Sequence, residues 1–278
     1  MIQSVPKVAC INDLSGYGRC SLSTAISILS VCGIQPCAVP TAVLSKHTGF
    51  EGFHFTDLSG SLEPFFKSWD DLCFDGIYTG FLGSLSQISV VESFIKEHKS
   101  CQQKAPIVVV DTVMGDNGRL YSTYTMEMCK ALKSLVAIAD VITPNVTEAC
   151  FLTDTEYCGD KLSDNDCRIL CEKLRELGAK SAVITGIRRN SSVLNYICSD
   201  NVNDIYEVHR TNHIFSGTGD IFSSIVTAFL VAGKSLQCAV EAAGSFISET
   251  TQYTLSSADN NSDGVIFEPF LKNLGGLL

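Results

Sequence analysis

The sequence predicts an α/β protein built on an open, mostly parallel sheet with helices on both faces. Three observations carry that expectation. Short β-branched runs alternate with longer segments whose apolar residues fall three and four apart. The strand-like runs are apolar throughout, as strands buried on both faces are. The 278 residues are 45% hydrophobic and 18% charged, a core-forming composition, and a chain of this length buries roughly 75% of its unfolded surface.

In chain order, Lys7–Ile11 and Pro36–Pro40 read as the first two strands, with Ser21–Val31 as the helix between them. The strands Gly76–Tyr78, Ile107–Asp111, Val141–Thr143 and Ala182–Thr185 then alternate with the helices Gln87–Lys99, Tyr124–Val136 and Asp164–Leu177. This is the βαβ order that lays strands parallel. After Thr185 the alternation stops. Ser192–Cys198 and Ile205–Arg210 are consecutive strands, which predicts an antiparallel edge, and Asp220–Val231 and Leu236–Thr254 follow as helices. The polar run Ser256–Asp263 reads as a surface loop, and without repeats or a linker the expectation is one domain over residues 1–278.

Charge and cysteine usage exclude several function classes. Against 30 Asp and Glu stand 20 Lys and Arg, a net charge of −10, and no basic run is interleaved with aromatics, so nucleic acid is not an expected partner. A protein of this charge that binds an anion must use a local device, such as a helix N-terminus or a bound cation. The 13 cysteines are scattered without a Cys-x-x-Cys pair, which fits free thiols in a reducing cytoplasm and neither a disulfide framework nor a zinc site. No signal-like start and no apolar window of about 18 residues point to a membrane. Glycosylation triplets beginning at Asn145, Asn190 and Asn260 are chance matches in that compartment.

In open α/β sheets, ligands sit beyond the carboxyl ends of the strands. Those ends carry Asn12-Asp13, Thr41, Thr79-Gly80, Asp111, Thr143-Pro144-Asn145 and Thr185-Gly186. Pro144 forces Thr143 into an extended conformation and aims the turn from Asn145 to Glu148 past the strand. The sharpest feature is Gly217-Thr218-Gly219-Asp220 ahead of Ile221–Val226. Two glycines allow a turn whose amides converge, a helix start makes them an anion site, and Asp220 projects a carboxylate there. Bland readings stand beside each of these. Asp220 also fits a helix-capping acid, Asp111 a turn start, Glu148 a first-turn acid with Asn145 as cap, and His47 a surface loop residue. Neither a dinucleotide glycine fingerprint nor a P-loop is present.

Taken together, the segments resemble one family. Gly217-Thr218-Gly219-Asp220 resembles the signature of the ribokinase superfamily of ATP-dependent kinases. Asp111-Thr112-Val113-Met114-Gly115-Asp116 is similar to its Asp-Pro-Val-Met-Gly-Asp segment, and Thr143-Pro144-Asn145-Val146-Thr147-Glu148 to its Thr-Pro-Asn-x-x-Glu segment. Ser45-Lys46-His47-Thr48-Gly49-Phe50 and Thr79-Gly80-Phe81 resemble the Ser-Asn-His-Thr-Gly-Tyr and Thr-Gly-Tyr segments of pyridoxal kinases, the vitamin B6 branch. The resemblance runs from about Lys7 to Thr254. Departures in it include Asn12 where many pyridoxal kinases have Ser, Lys46 for Asn, Phe81 for Tyr, and Thr112 for Pro.

The resemblance implies a three-layer αβα ribokinase-like fold, a homodimer, and phosphorylation of the 5′-hydroxymethyl of pyridoxal, pyridoxine or pyridoxamine by ATP. In it Asp220 is the base, and the amides of Gly217, Thr218, Gly219 and Asp220 are the anion hole. It places ATP on Asn145, Thr185, Gly186, Phe215 and Gly217 to Gly219, and Mg²⁺ on Asp111 and Glu148 with Thr143. The B6 vitamer falls to Asn12, Ser45, His47, Thr48, Phe81 and Asp220. A monovalent cation, K⁺, and a flap over residues 116–124 complete the expectation. Two other readings stay open: a hydroxymethylpyrimidine or hydroxymethylpyrimidine phosphate kinase of thiamin metabolism, and a non-catalytic nucleotide- or vitamin-binding sensor. A polyol or sugar kinase fits the motifs less well.

Overall fold

The computed structural model describes residues 4–101, 104–159, 162–200, 202–209, 213, 215–257 and 261–278. Along the chain run β1 (Lys7–Ser15), α1 (Ser21–Val31), β2 (Gln35–Leu44), β3 (Phe55–Asp57), α2 (Ser59–Lys67), β4 (Gly76–Thr79), α3 (Leu85–Cys101) and β5 (Ile107–Val110). Then come β6 (Gly115–Asp116), β7 (Arg119–Leu120), α4 (Met126–Val136), β8 (Val141–Ile142), α5 (Val146–Leu152) and α6 (Asp164–Glu176). The last part holds β9 (Ser181–Arg189), β10 (Ser192–Cys198), β11 (Asn203–His209), α7 (Thr218–Val231), α8 (Leu236–Ser256) and α9 (Leu271–Gly275).

The strands lie in the order β11-β10-β9-β8-β5-β4-β1-β2-β3, with β6 and β7 forming a separate hairpin. All neighbours from β9 to β2 are parallel, while β10 and β11 at one edge and β3 at the other are antiparallel. The chain fills the sheet outward from β1, first towards β2 and then back to β4 and beyond. The gap between β1 and β4 is therefore the switch point, where diverging connections leave a crevice at the carboxyl ends.

Val8 to Ile11, Ile77, Tyr78 and Val108 to Val110 are wholly buried. Helices cover both faces, which is why these strands are apolar without alternation. One apolar cluster packs α2 to α6 on one face, through residues such as Phe66, Ile95, Leu132 and Leu170. The other packs α1, α7, α8 and α9 through Ile28, Phe229, Val240 and Leu274. Every cysteine whose side chain is described is free. Among the described residues no helix is long and apolar enough to cross a membrane.

The alternation and the antiparallel edge stand as predicted, but the strands run further than their apolar cores. β1 continues through Asn12 and Asp13 to Ser15 because Leu14 and Ser15 still pair with Val43 and Leu44 of β2. Thr41 accordingly lies within β2, and Thr185 and Gly186 lie within β9, which pairs with β10 as far as Arg189. The short elements β3, α2, β6, β7 and α5 carry too few periodic residues to be visible in the sequence. The run read as a surface loop is exposed or half-buried where it is described, and its end is tied to the loop after β1: Arg19 N–H donates to the Asp263 carbonyl (2.8 Å), and Tyr17 Oη to Asp263 Oδ2 (2.9 Å). Arg210, Asn260 and residues 258–260 of that run lie outside the described residues.

Phe229 is 1% exposed in the last turn of α7, and its truncation leaves a hole between α7 and its neighbours. Phe229→Ala is expected to cost about 3–5 kcal/mol. Urea unfolding measures it, and a loss below about 1 kcal/mol would contradict this packing.

Candidate active site

The crevice at the switch point opens into a cavity of about 680 Å³. Asp220, in the first turn of α7, forms part of its floor. Its carboxylate accepts from Asn12 Nδ2 at Oδ1 (2.9 Å) and from the Ser21 N–H at Oδ2 (2.7 Å). Asn12 Oδ1 in turn accepts from the N–H groups of Asp13 (2.9 Å) and Phe81 (2.8 Å), so one amide ties β1, the end of β4 and α7 together. Gly80 makes this possible, since a Cβ there would lie 2.3 Å from Asn12 Nδ2. Burial pushes the Asp220 carboxyl up to about 6, against the pull of the Ser21 N–H.

Gly217 caps α7 in the left-handed conformation, with φ +83°, and a Cβ at that position would stand 2.0 Å from the Arg19 carbonyl oxygen. Only glycine fits both conditions. The first-turn N–H groups of α7 have no acceptor in their own helix, and Gly217, Thr218 and Gly219 line the cavity beside Asp220. The fold thus provides amides for an anion next to a carboxylate.

Across the cavity lie Asp111 and Glu148, 5% and 4% exposed. Glu148 completes a capping box with Asn145, accepting from the Asn145 N–H (2.9 Å), the Met114 N–H (3.1 Å) and Thr112 Oγ1 (3.3 Å). Helix cap and cavity acid are therefore the same residue. Burial lifts Glu148 to about 7. Burial, then the charges of Glu148 and Asp220, hold Asp111 well above the usual carboxylate range. Ser223 Oγ donates to Asp111 Oδ2 (3.0 Å), so the Thr143 hydroxyl, 2.8 Å away, is left to donate to Ser223.

Among the described residues Asp111 and Glu148 have no ion-pair partner, and no three His, Cys, Asp or Glu side chains converge as a closed metal cage. Two unneutralised carboxylates on an open wall fit a hard divalent cation that takes its other ligands from water and phosphate.

Most of the predicted site residues meet here. Asn12, His47, Thr48, Phe81, Asp111, Thr143, Asn145, Glu148, Thr185, Gly186, Phe215, Gly217, Thr218, Gly219 and Asp220 all line the one cavity. Ser45 does not. Its hydroxyl accepts from the His54 N–H (2.8 Å) and pins the loop after β2. His47 is in place but occupied: Nδ1 accepts from the Gly49 N–H (3.0 Å), and Nε2 lies 3.0 Å from the Ser262 carbonyl, which puts the ring hydrogen on Nε2. The ring fixes a loop and has no nitrogen left for a ligand. The expected flap begins as the β6–β7 hairpin, where the Gly118 N–H donates to Thr147 Oγ1 (2.9 Å). Sequence reading missed Ser21 and Ser223. Ser21 works through its backbone, which leaves no side-chain signal, and Ser223 looks like any small residue of a buried helix.

A sequence model of the phosphomethylpyrimidine kinase family matches residues 20–263. The chain belongs to this kinase family. A pyridoxine/pyridoxal/pyridoxamine kinase of Bordetella avium is 30% identical over 245 residues, 83% of this chain and 79% of the relative. A hydroxymethylpyrimidine/phosphomethylpyrimidine kinase of Staphylococcus aureus is 26% identical over 256 residues, 90% of this chain and 89% of the relative. Among solved structures, a Bacteroides thetaiotaomicron protein provisionally described as a phosphomethylpyrimidine kinase is 38% identical, with a TM-score of 0.92 over 99% of this chain and 95% of that one. An orthorhombic crystal form of the Bacteroides protein holds pyridoxal. The fold of this kinase is the ribokinase-like three-layer arrangement.

The raised acids set the pH dependence of stability. Glu148 and Asp220 hold protons in the folded chain up to about 7 and about 6, above their ordinary values of 4.5 and 3.8. The folded state therefore binds more protons than the unfolded one across that window, and stability falls as pH rises through it. Ligand-free protein is expected to melt at a higher temperature at pH 5.5 than at pH 8, a difference on the order of a few kcal/mol. Glu148→Gln is expected to flatten the trend. Calorimetric melting at the two pH values checks both, and a trend of opposite sign would refute the assignment.

Proposed function

We propose that this kinase transfers the γ-phosphoryl group of ATP to the 5′-hydroxymethyl of pyridoxal, pyridoxine or pyridoxamine. The observation that carries the choice of substrate is the pyridoxal held by the 38%-identical Bacteroides protein. The geometry suits the reaction. A flat ring lying against Phe81 and Thr48 brings a hydroxymethyl group to Asp220, beside the amides of the α7 start.

In the transfer, the substrate hydroxyl gives its proton to the Asp220 carboxylate while its oxygen bonds to the γ-phosphorus, and ADP leaves with the electrons of the broken P–O bond. The transition state is loose, so the oxygen needs little deprotonation until late, and a carboxylate at about 6 is base enough. Asn12 and the Ser21 N–H aim that carboxylate. The amides of Gly217 to Asp220 take up charge on the moving group. Asp111 and Glu148, with Thr143 behind them through Ser223, would hold Mg²⁺ mostly through water, and Mg²⁺ when bound supplies charge neutralisation for the phosphates. Asn145, Thr185, Gly186 and Phe215 line the proposed path of the nucleotide, and Asp116, Tyr121, Ser122 and Thr123 bound it from the hairpin side.

A second reading is phosphorylation of hydroxymethylpyrimidine or its phosphate. It is supported by the matched family and by the Staphylococcus relatives. The chemistry is the same, an exocyclic hydroxymethyl on a flat heteroaromatic ring. A non-catalytic sensor is disfavoured by the two hydrogen bonds that aim Asp220 into the cavity, which mere binding does not require.

Asp220→Asn is expected to keep ATP binding and lose about 10²–10⁴ in kcat, the usual worth of a positioned base. Activity within about threefold of the parent enzyme would remove Asp220 from that role. For the substrate, an ATP/Mg²⁺ assay with mass detection compares pyridoxal, pyridoxine, pyridoxamine, hydroxymethylpyrimidine and its phosphate, and ribose. Fast turnover of a B6 vitamer is the expected result. Preferential turnover of the pyrimidine would move the kinase to the second reading, and ATP binding without any product would favour the sensor.

A further inference from the structure

Beyond Thr185 and Gly186 the cavity continues into a lobe between β10, β11 and α8, walled by Val193, Val208 and Ile247. Polar residues line it as well: Arg188, His209 and Ser248 are exposed or half-buried, and the buried Thr251 hydroxyl is spent on the Ile247 carbonyl. Along β10, Leu194, Tyr196 and Cys198 join the apolar cluster on one face of the sheet, and Ile197 joins the other. Asn195 shares the Ile197 face by the period of a strand. It is 4% exposed, lines the lobe, and its amide hydrogen-bonds to no described residue. The β9–β10 register shifts between Leu194 and Tyr196, so the irregularity falls at Asn195. Opposite stands Gly244 of α8, where a Cβ would meet Tyr206 Cε1 at 2.9 Å and Asn195 Nδ2 at 3.4 Å.

A buried amide without partners among the described residues, on an apolar strand face, asks for an explanation. Packing does not give one, because a Val or Leu would fill the face without leaving donors and an acceptor unmet. A ligand does. The lobe accepts a flat apolar ring, and the amide adds one donor and one acceptor side by side. With the phosphates at the start of α7 and the acceptor substrate at Asp220, the part of ATP left for this lobe is its base.

We infer that Asn195 is a specificity-determining residue for the nucleotide. Its Oδ1 accepts from the exocyclic amine of adenine and its Nδ2 donates to the adjacent ring nitrogen, the pairing an amide side chain makes with that base. The inference rests on the ATP-dependent kinase reading but not on which vitamer is phosphorylated.

The test is calorimetric binding of ATP and of purine riboside 5′-triphosphate, which lacks the amine, to the whole chain with Mg²⁺. The unaltered protein is expected to prefer ATP by about tenfold. In Asn195→Leu the two nucleotides are expected to bind alike, with ATP weakened by about tenfold, while kcat at saturating ATP and KM for the vitamer stay as they were. Asn195→Ala gives the same comparison should the leucine disturb folding, and a melting curve shows whether it does. An unchanged preference for ATP in a folded variant would overturn the inference. Amine-dependent binding lost in the variant, in a protein that phosphorylates no acceptor, would uphold it while the proposed activity fell. Failure of the unaltered protein to bind ATP would end both.

Discussion

The site depends on how the Asp220 carboxylate is held at the start of α7. A helix N-terminus favours an anion, but partial burial opposes it, and Asn12 with the Ser21 N–H decides where the charge sits. Asn12 does this from the central strand, and its carbonyl oxygen is spent on the N–H groups of Asp13 and Phe81. The crevice opened by the sheet topology is thereby given a fixed polar floor. Without the switch between β1 and β4 there would be no crevice, and without Asn12 the crevice would have no defined geometry.

Around that floor the molecule concentrates negative charge. Asp13, Asp111, Glu148 and Asp220 all line one cavity, and burial raises each of them. Such an arrangement is unfavourable in an empty protein, and a polyphosphate alone would make it worse. On the proposed function, the two devices that would offset it are the first-turn amides of α7 and a divalent cation at Asp111 and Glu148, by which a chain with a net charge of −10 would accommodate a strongly anionic nucleotide.

Much of this was legible in the residues. The apolar runs gave the parallel strands, the end of the alternation gave the antiparallel edge, and Gly217-Thr218-Gly219-Asp220 marked a candidate anion site because two glycines ahead of a helix let its first amides converge. What stayed hidden had physical causes. Ser21 acts through a backbone N–H, and Ser223 through a hydroxyl inside an apolar helix. Ser45 and His47 looked like ligands because loop-fixing residues and substrate-touching residues share composition, and only the bonds to His54, Gly49 and Ser262 separate the two roles. Glu148 shows the reverse, since it is the capping acid of its bland reading and its carboxyl still lines the cavity.

The bonds that complete the site span nearly the whole chain. Asn12 and Asp220 are 208 residues apart, His47 and Ser262 are 215 apart, and Tyr17 and Asp263 are 246 apart. During synthesis the amino-terminal strands emerge first and can begin to associate. The loops after β1 and β2 must then wait for the last fifth of the chain before they acquire partners, and contacts of such long range form late. An incomplete chain on the ribosome would carry the central strands, the loops after β1 and β2, Asp111 and Glu148, but not Asp220. With Asp220 as the proposed base, the order of synthesis itself would keep phosphoryl transfer silent until the fold is closed.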